Sequence, residues 1–121
     1  MGNMKVLIID DNEDIVSFIE TLIETILPGP EISCAYTGQE ALDFLAKENF
    51  SIITLDGQLG DNYHGRDILA KMSPEQVRNT IVHSGDIVFL DQCKSKGINA
   101  ISKNSRFIVE MKAILSAKGI I

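Results

Sequence analysis

The stretch KVLIIDDNED, residues 5–14, joins an unbroken apolar run directly to two adjacent carboxylates and then to more acid. Val6 through Ile9 are β-branched or leucine with no alternation of polar residues, the pattern of a strand covered on both faces. Strands of that kind belong to parallel sheets flanked by helices. The run ends abruptly at Asp10 and Asp11, so the strand delivers two like charges to one spot. A fold that does this needs something positive there.

Working outward, strand and helix patterns alternate five times. After the first strand, a helix starting near Asn12 or Asp14 carries Ile15, Phe18, Ile19, Leu22, Ile23 and Ile26 at helical spacing and ends at Pro28-Gly29-Pro30. EISCAYT from residue 31 is a less apolar second strand, suited to a sheet edge, and GQEALDFLAKEN is a short amphipathic helix with Ala41, Leu42 and Leu45 inward. FSIITL (50–55) is the third strand, followed by the turn-rich LDGQLGDNYHG and a helix over Arg66–Met72 that Ser73 and Pro74 break. TIVH (80–83) is the fourth strand, with a helix near Val88–Lys96 ending at Gly97. NAIS (99–102) is the fifth. A last helix, about Arg106–Lys118, has Phe107, Ile108, Met111, Ile114 and Leu115 on its inner face and stops at Gly119.

The 121 residues fit one domain, long enough to hide roughly two-thirds of the unfolded surface without staples. A net charge of −6 argues against direct nucleic-acid binding, although just over half of the Lys and Arg lie from Lys94 onward. No apolar run approaches the ~20 residues that cross a bilayer, and the short run after Met1 does not make a secretory signal. Gly2 lacks the Ser or Thr that myristoylation wants at position 6, where Val6 stands. Cys34 and Cys93 form no CxxC and read as reduced thiols of a cytoplasmic protein.

Alternating strands and helices imply a doubly wound α/β fold, a five-stranded parallel sheet with helices on both faces. Sites in such folds form beyond the carboxyl ends of the strands. There the sequence places Asp10 and Asp11 after the first strand, Asp56 after the third, Ser84 after the fourth and Lys103 after the fifth. Each of these residues alone has a bland role: helix-start acids, a turn acid before Gly57, a loop serine, a solvated lysine. Their joint placement favours a shared site. Carboxylates 4 Å apart repel by about 4 kcal/mol at an intermediate dielectric, so Lys103 and a hard divalent ion such as Mg²⁺ are the expected partners. A metal, a lysine and a hydroxyl around one carboxylate suit phosphoryl transfer, with Asp56 as nucleophile.

The motifs IIDDNED, ITLDGQLGDNYHG, IVHSGD and INAISKN, in this order on the five-fold framework, resemble response-regulator receiver domains of the small, single-domain chemotaxis type. The resemblance covers essentially the whole chain and implies a flavodoxin-like strand order 2-1-3-4-5, with one receiver domain over residues 1–121 and no output domain. It further implies that Asp56 takes a phosphoryl group from a histidine kinase or phosphotransfer protein. Asp11, Asp56 and the backbone carbonyl of Gln58 then hold Mg²⁺, Asp10 acting mainly through a metal-bound water. By the same likeness Lys103 pairs with a phosphoryl oxygen and Ser84 is the switch hydroxyl, with the small Gly85 beside it. Gln58 and Asp86 fall where similar receivers tune dephosphorylation, and a downstream protein target is reached by docking. Catalysis is limited to the domain's own phosphorylation and dephosphorylation.

The sequence departs from that pattern at several positions. Ala100 stands where an aromatic residue usually reports the switch, and Asn104 where proline usually follows the lysine. A trans Lys103–Asn104 bond is therefore expected, because cis costs about 2.5–4 kcal/mol without proline. Gly57 and Gly60 replace a bulky residue and a proline, and the loop to Gly65 is one residue longer than usual. Ala100 and Asn104 motivate an alternative, a receiver-like module that binds its partner independently of phosphate. A phosphohydrolase is disfavoured, because Gln58 stands where a second acid is needed and no cap encloses a substrate. His83, beside Ser84, should face the other side of its strand as a packed histidine, and His64 lies in the flexible loop without metal-ligand spacing.

Overall fold

The computed structural model describes residues 3–121; Gly2, where myristoylation was considered, lies outside the described residues. Five strands form one sheet: β1 (Lys5–Ile9), β2 (Glu31–Ala35), β3 (Ile52–Asp56), β4 (Thr80–Ser84) and β5 (Asn99–Ser102). They are parallel and ordered β2-β1-β3-β4-β5, the expected arrangement. The helices are α1 (Glu13–Ile26), α2 (Gly38–Lys47), α3 (Gly65–Lys71), α4 (Pro74–Arg78), α5 (Ile87–Ser95) and α6 (Phe107–Ala117). No described helix is long and apolar enough to cross a membrane.

Each central strand supplies both faces of the sheet, which explains its unbroken apolar run. Leu7, Ile9, Ile53, Leu55 and Val82 point to one side, against Ala41 of α2, Ile68 of α3 and Phe89, Leu90 and Cys93 of α5. Val6, Ile8, Ile52, Ile81 and Ile101 point to the other, against Ile19 and Ile23 of α1 and Met111 and Leu115 of α6. β2, at the sheet edge, is only partly buried, as its weaker apolar content anticipates.

Three expectations need correction. Phe18 is 45% exposed and Ile108 39% exposed, while Val16 takes the inward position on α1. The face of α1 toward the sheet is narrower than its apolar stripe, so the stripe's margin stays at the surface. Ser73-Pro74 does not simply break α3. Ser73 caps a new short helix, accepting from the Gln76 amide while the Gln76 side chain accepts from the Ser73 amide. Proline at the first helical position loses no hydrogen bond, so the same residue that closes α3 opens α4.

Candidate functional site

The site forms at the carboxyl edge of the sheet because consecutive strands end in register. Asp56 is the last residue of β3 and pairs with His83, and Ser84 pairs with Ser102 next to Lys103. Partners in parallel strands share a face, and even-numbered positions of β1 and β3 share it with odd-numbered positions of β4 and β5. This parity places Asp10, Asp56, His83 and Lys103 on one side of the sheet edge and directs Ser84 to the other.

Lys103 sits at the centre of the cluster. Its Nζ lies 2.8 Å from Asp56 Oδ1 and 3.6 Å from Asp10 Oδ2. The backbone N–H of Lys103 donates to the Ser84 carbonyl at 3.2 Å, extending the β4–β5 pairing by one residue and fixing where the side chain starts. The Lys103–Asn104 bond is trans, as the missing proline led us to expect. Asp10 is fully buried; its amide donates to the Ala35 carbonyl and its Oδ1 accepts from the Asn12 amide at 2.8 Å. Oδ2 has no hydrogen-bond partner among the described residues.

Burial pushes the Asp10 carboxyl up, the Asn12 amide pulls it down, and the negative charge of Asp56 pushes again, leaving it at about 6. Burial pulls the Lys103 ammonium down, but the hydrogen bond and charge of Asp56, reinforced by Asp10, outweigh it and hold the ammonium above its usual value. Lys103 therefore stays charged and anchors the two acids.

The other expected site residues lie around this pair. Asp11 is exposed and is not part of the buried cluster; its carboxylate lies against Gly60, where a β-carbon would come within 3.3 Å of Oδ2. The structure thus gathers Asp10 and Asp56 closely and keeps Asp11 at the rim, near enough for its charge to raise Asp10. Gln58 exposes its side chain, while its backbone bridges to His64 across the loop. Ser84 is 6% exposed, and its Oγ accepts from the Asp86 amide at 3.0 Å. Asp86 in turn caps α5, accepting from the Phe89 amide. Nothing lies within 4 Å of a β-carbon at Gly85, so that position is open.

Three residues have roles that their sequence context does not announce. His64 is no loose loop residue: its Nδ1 accepts from the Arg66 amide, its ring packs edge-on against Phe89 at 4.6 Å, and it caps α3. His83 is packed, as expected, with its ring edge-on to Phe107 at 5.8 Å. Its Nδ1 also lies 3.8 Å from Asp10 Oδ2, and neither ring nitrogen has a hydrogen-bond partner among the described residues. Burial, helped by the charge of Lys103, pushes the imidazole down to about 3, so it is neutral. Strand parity was the available signal, since a residue opposite Asp56 shares its face. Asp61 likewise reaches out of the loop to accept from the Gly38 and Gln39 amides at 2.8 and 3.1 Å, capping α2.

The donor set suits a hard cation. Asp10 Oδ2 is a buried carboxylate oxygen without a hydrogen bond, Asp56 adjoins it, and Asp11 adds a third acid at the solvent side. Oxygen donors of this kind, with Asp11 on the solvent side, fit Mg²⁺.

Similar architecture is found in solved structures. The bacteriophytochrome response regulator AtBRR superposes with a TM-score of 0.78 at 18% identity, covering 100% of this chain and 96% of that one. TrrA from Thermotoga maritima, solved with Mg²⁺ and BeF, has a TM-score of 0.75 at 18% identity, covering 98% and 99%. A CheY-like receiver domain from Methanospirillum hungatei has a TM-score of 0.74 at 24% identity, covering 98% of both chains. At these identities the likeness is one of fold. Comparison with curated proteins gives no match. The sequence itself matches the response regulator receiver domain family over residues 6–106, from the first buried strand to just past the lysine loop. With acids, serine and lysine at the carboxyl ends of their strands and this match spanning them all, the chain belongs to the response regulator receiver domain family.

Proposed function

We propose that Asp56 accepts a phosphoryl group from the phosphohistidine of a histidine kinase or phosphotransfer protein, and that the resulting change is read by a docking partner. The observation that carries this reading is the buried Asp56 carboxylate held 2.8 Å from the Lys103 ammonium beside Asp10. A carboxylate oxygen of Asp56 attacks phosphorus, the phosphorus–nitrogen bond breaks, and the donor's imidazole leaves. Lys103 is close enough to pair with the phosphoryl oxygens as their charge is redistributed, and its backbone tether to Ser84 keeps that charge in place. Asp10, Asp11, Asp56 and the Gln58 carbonyl are the residues that would hold Mg²⁺, which would there supply positive charge to offset that of the acids and the phosphoryl oxygens.

Ser84 is the switch residue in this reading. Its hydroxyl gives up the Asp86 amide and turns toward the phosphoryl group, and α5 answers because Asp86 caps it. Water then removes the phosphate, so catalysis is confined to the domain's own phosphorylation cycle. Free thiols at Cys34 and Cys93 accord with a cytoplasmic location.

Acetyl phosphate, or beryllofluoride with Mg²⁺, should shift the amide resonances of Ser84, Gly85 and Lys103, and Asp56→Asn should abolish the shifts. Unchanged spectra at saturating Mg²⁺ would sink the reading. Ala100 favours a second reading, an interaction module independent of phosphate, because its methyl group in the packed core has no ring to swing. Partner affinity unaltered by beryllofluoride and by Asp56→Asn would select that alternative.

A further inference from the structure

Asp10, Asp56 and His83 each present one ligand atom, and these atoms all lie within 4.8 Å of one another. The three residues are 0%, 4% and 0% exposed. Among the described residues, Asp10 Oδ2 and both nitrogens of His83 are buried without a hydrogen-bond partner. Polar atoms are seldom buried in that state, and an unpartnered carboxylate oxygen beside an unpartnered imidazole nitrogen calls for an ion or water to complete the pair. The separation between His83 Nδ1 and Asp10 Oδ2, 3.8 Å, is too long for a hydrogen bond. It is close to the roughly 3.3 Å edge of a tetrahedral site with ~2.0 Å bonds, which a small contraction would reach.

We propose that Asp10, Asp56 and His83 form a nitrogen-containing seat for a borderline divalent ion such as Zn²⁺ or Co²⁺, entered by displacing the Lys103 ammonium. Mg²⁺ takes oxygen donors, whereas a neutral imidazole beside two carboxylates suits Zn²⁺ and Co²⁺. Lys103 is the resident cation, with Nζ 2.8 Å from Asp56 and 3.6 Å from Asp10. Its side chain is 31% exposed on an unbranched stem, so the ammonium can move to water when a doubly charged ion arrives. An ion in this seat uses the carboxylate and removes the lysine that the phosphorylation reading requires. Its consequence, mutual exclusion with the aspartyl phosphate, rests on that reading; the seat itself does not.

The test is titration of Co²⁺ and Zn²⁺ into the metal-free full chain. Expected are a visible Co²⁺ band of the low-coordinate type and a displaced His83 ring-nitrogen resonance on adding Zn²⁺ to the wild-type protein. His83→Leu should weaken Co²⁺ binding by more than about tenfold, since even outer partners of metal ligands are worth that much. It should leave Mg²⁺ affinity unchanged. Lys103→Met, which removes the competing cation, should strengthen Co²⁺ binding. Zn²⁺ shifts confined to His64 or the thiols, with His83 unmoved, would overturn the proposal whether or not the His83 variant folds. Beryllofluoride bound alongside Zn²⁺ would overturn the exclusion. Absence of any beryllofluoride response in Mg²⁺ alone would instead overturn the phosphorylation reading, while a moved His83 resonance would still support the seat.

Discussion

At Gly65 a β-carbon would lie 2.8 Å from the backbone oxygen of Asp56 and 3.1 Å from the Cα of Gly57, both backbone atoms that cannot rotate away. Gly65→Ala should therefore cost about 1–3 kcal/mol, as overpacking does, in urea unfolding. At Gly85 a β-carbon meets nothing, so Gly85→Ala should stay within about 0.5 kcal/mol. Asp10 and His83 oppose each other in the pH dependence of stability. The Asp10 carboxyl rises from 3.8 to about 6, so its contribution is complete below its unfolded value and is lost as pH rises through about 6, a change of about 3 kcal/mol. His83 falls from 6.5 to about 3, so its contribution is complete above 6.5 and is lost as pH falls toward about 3, a change of about 5 kcal/mol. Between about pH 4 and 6 the two slopes cancel. In chelator, acidification from pH 6 to 4 should stabilise His83→Leu relative to wild type and destabilise Asp10→Asn relative to wild type. Parallel pH profiles for all three proteins would contradict this assignment.

At the scale of elements, the starts of α1, α2, α3 and α5 are fixed by side-chain caps, whereas α6 begins without one. Asn12 Oδ1 accepts from the Asp14 and Ile15 amides, starting α1 directly behind Asp10 and Asp11. Asn12→Ala should lower stability by about 1 kcal/mol, measured by urea titration. Asp61 caps α2 from a distant loop, and the Gly38 amide holds its carboxyl below the usual range. Asp61→Ala should speed hydrogen exchange at the Gly38 and Gln39 amides while leaving the α1 amides unchanged. The local caps were readable because their partners are two or three residues away: Asn12 lay within the expected start of α1. The Asp61 cap was not, because 23 residues separate donor and acceptor and only the fold brings them together. Pro74 shows the same limit. Its chemistry is compatible both with ending one helix and with beginning another, and the Gln76 side chain, bonded to the Leu45 carbonyl, ties the second helix to α2.

For the whole molecule, the proposed phosphorylation switch would have to reach the surface without a central aromatic, since Ala100 stands in that place. Ala100 is a small packed residue, while Phe89 lies beside Gly57 and Ser84: a β-carbon at Gly57 would meet Ser84 at 2.8 Å and Phe89 at 3.2 Å. Beryllofluoride with Mg²⁺ should therefore shift the Phe89 ring resonances more than the Ala100 methyl, and the reverse order would show that the signal leaves through β5. The five strands, their parallel direction and the set of strand-end residues were legible in the sequence, because apolar runs of strand length and helical periodicity are local and redundant, while the strand order came only with the family likeness. The sequence also carried the family, whose motifs keep fixed spacing. Only the tertiary structure decided how those residues divide, with Asp10, Asp56 and His83 in the dry interior around Lys103 and Asp11 at the wet rim. Alternation along each strand is local and readable, but the division also needs the register between strands, which acts between residues far apart in the chain and leaves no mark on their neighbours in sequence.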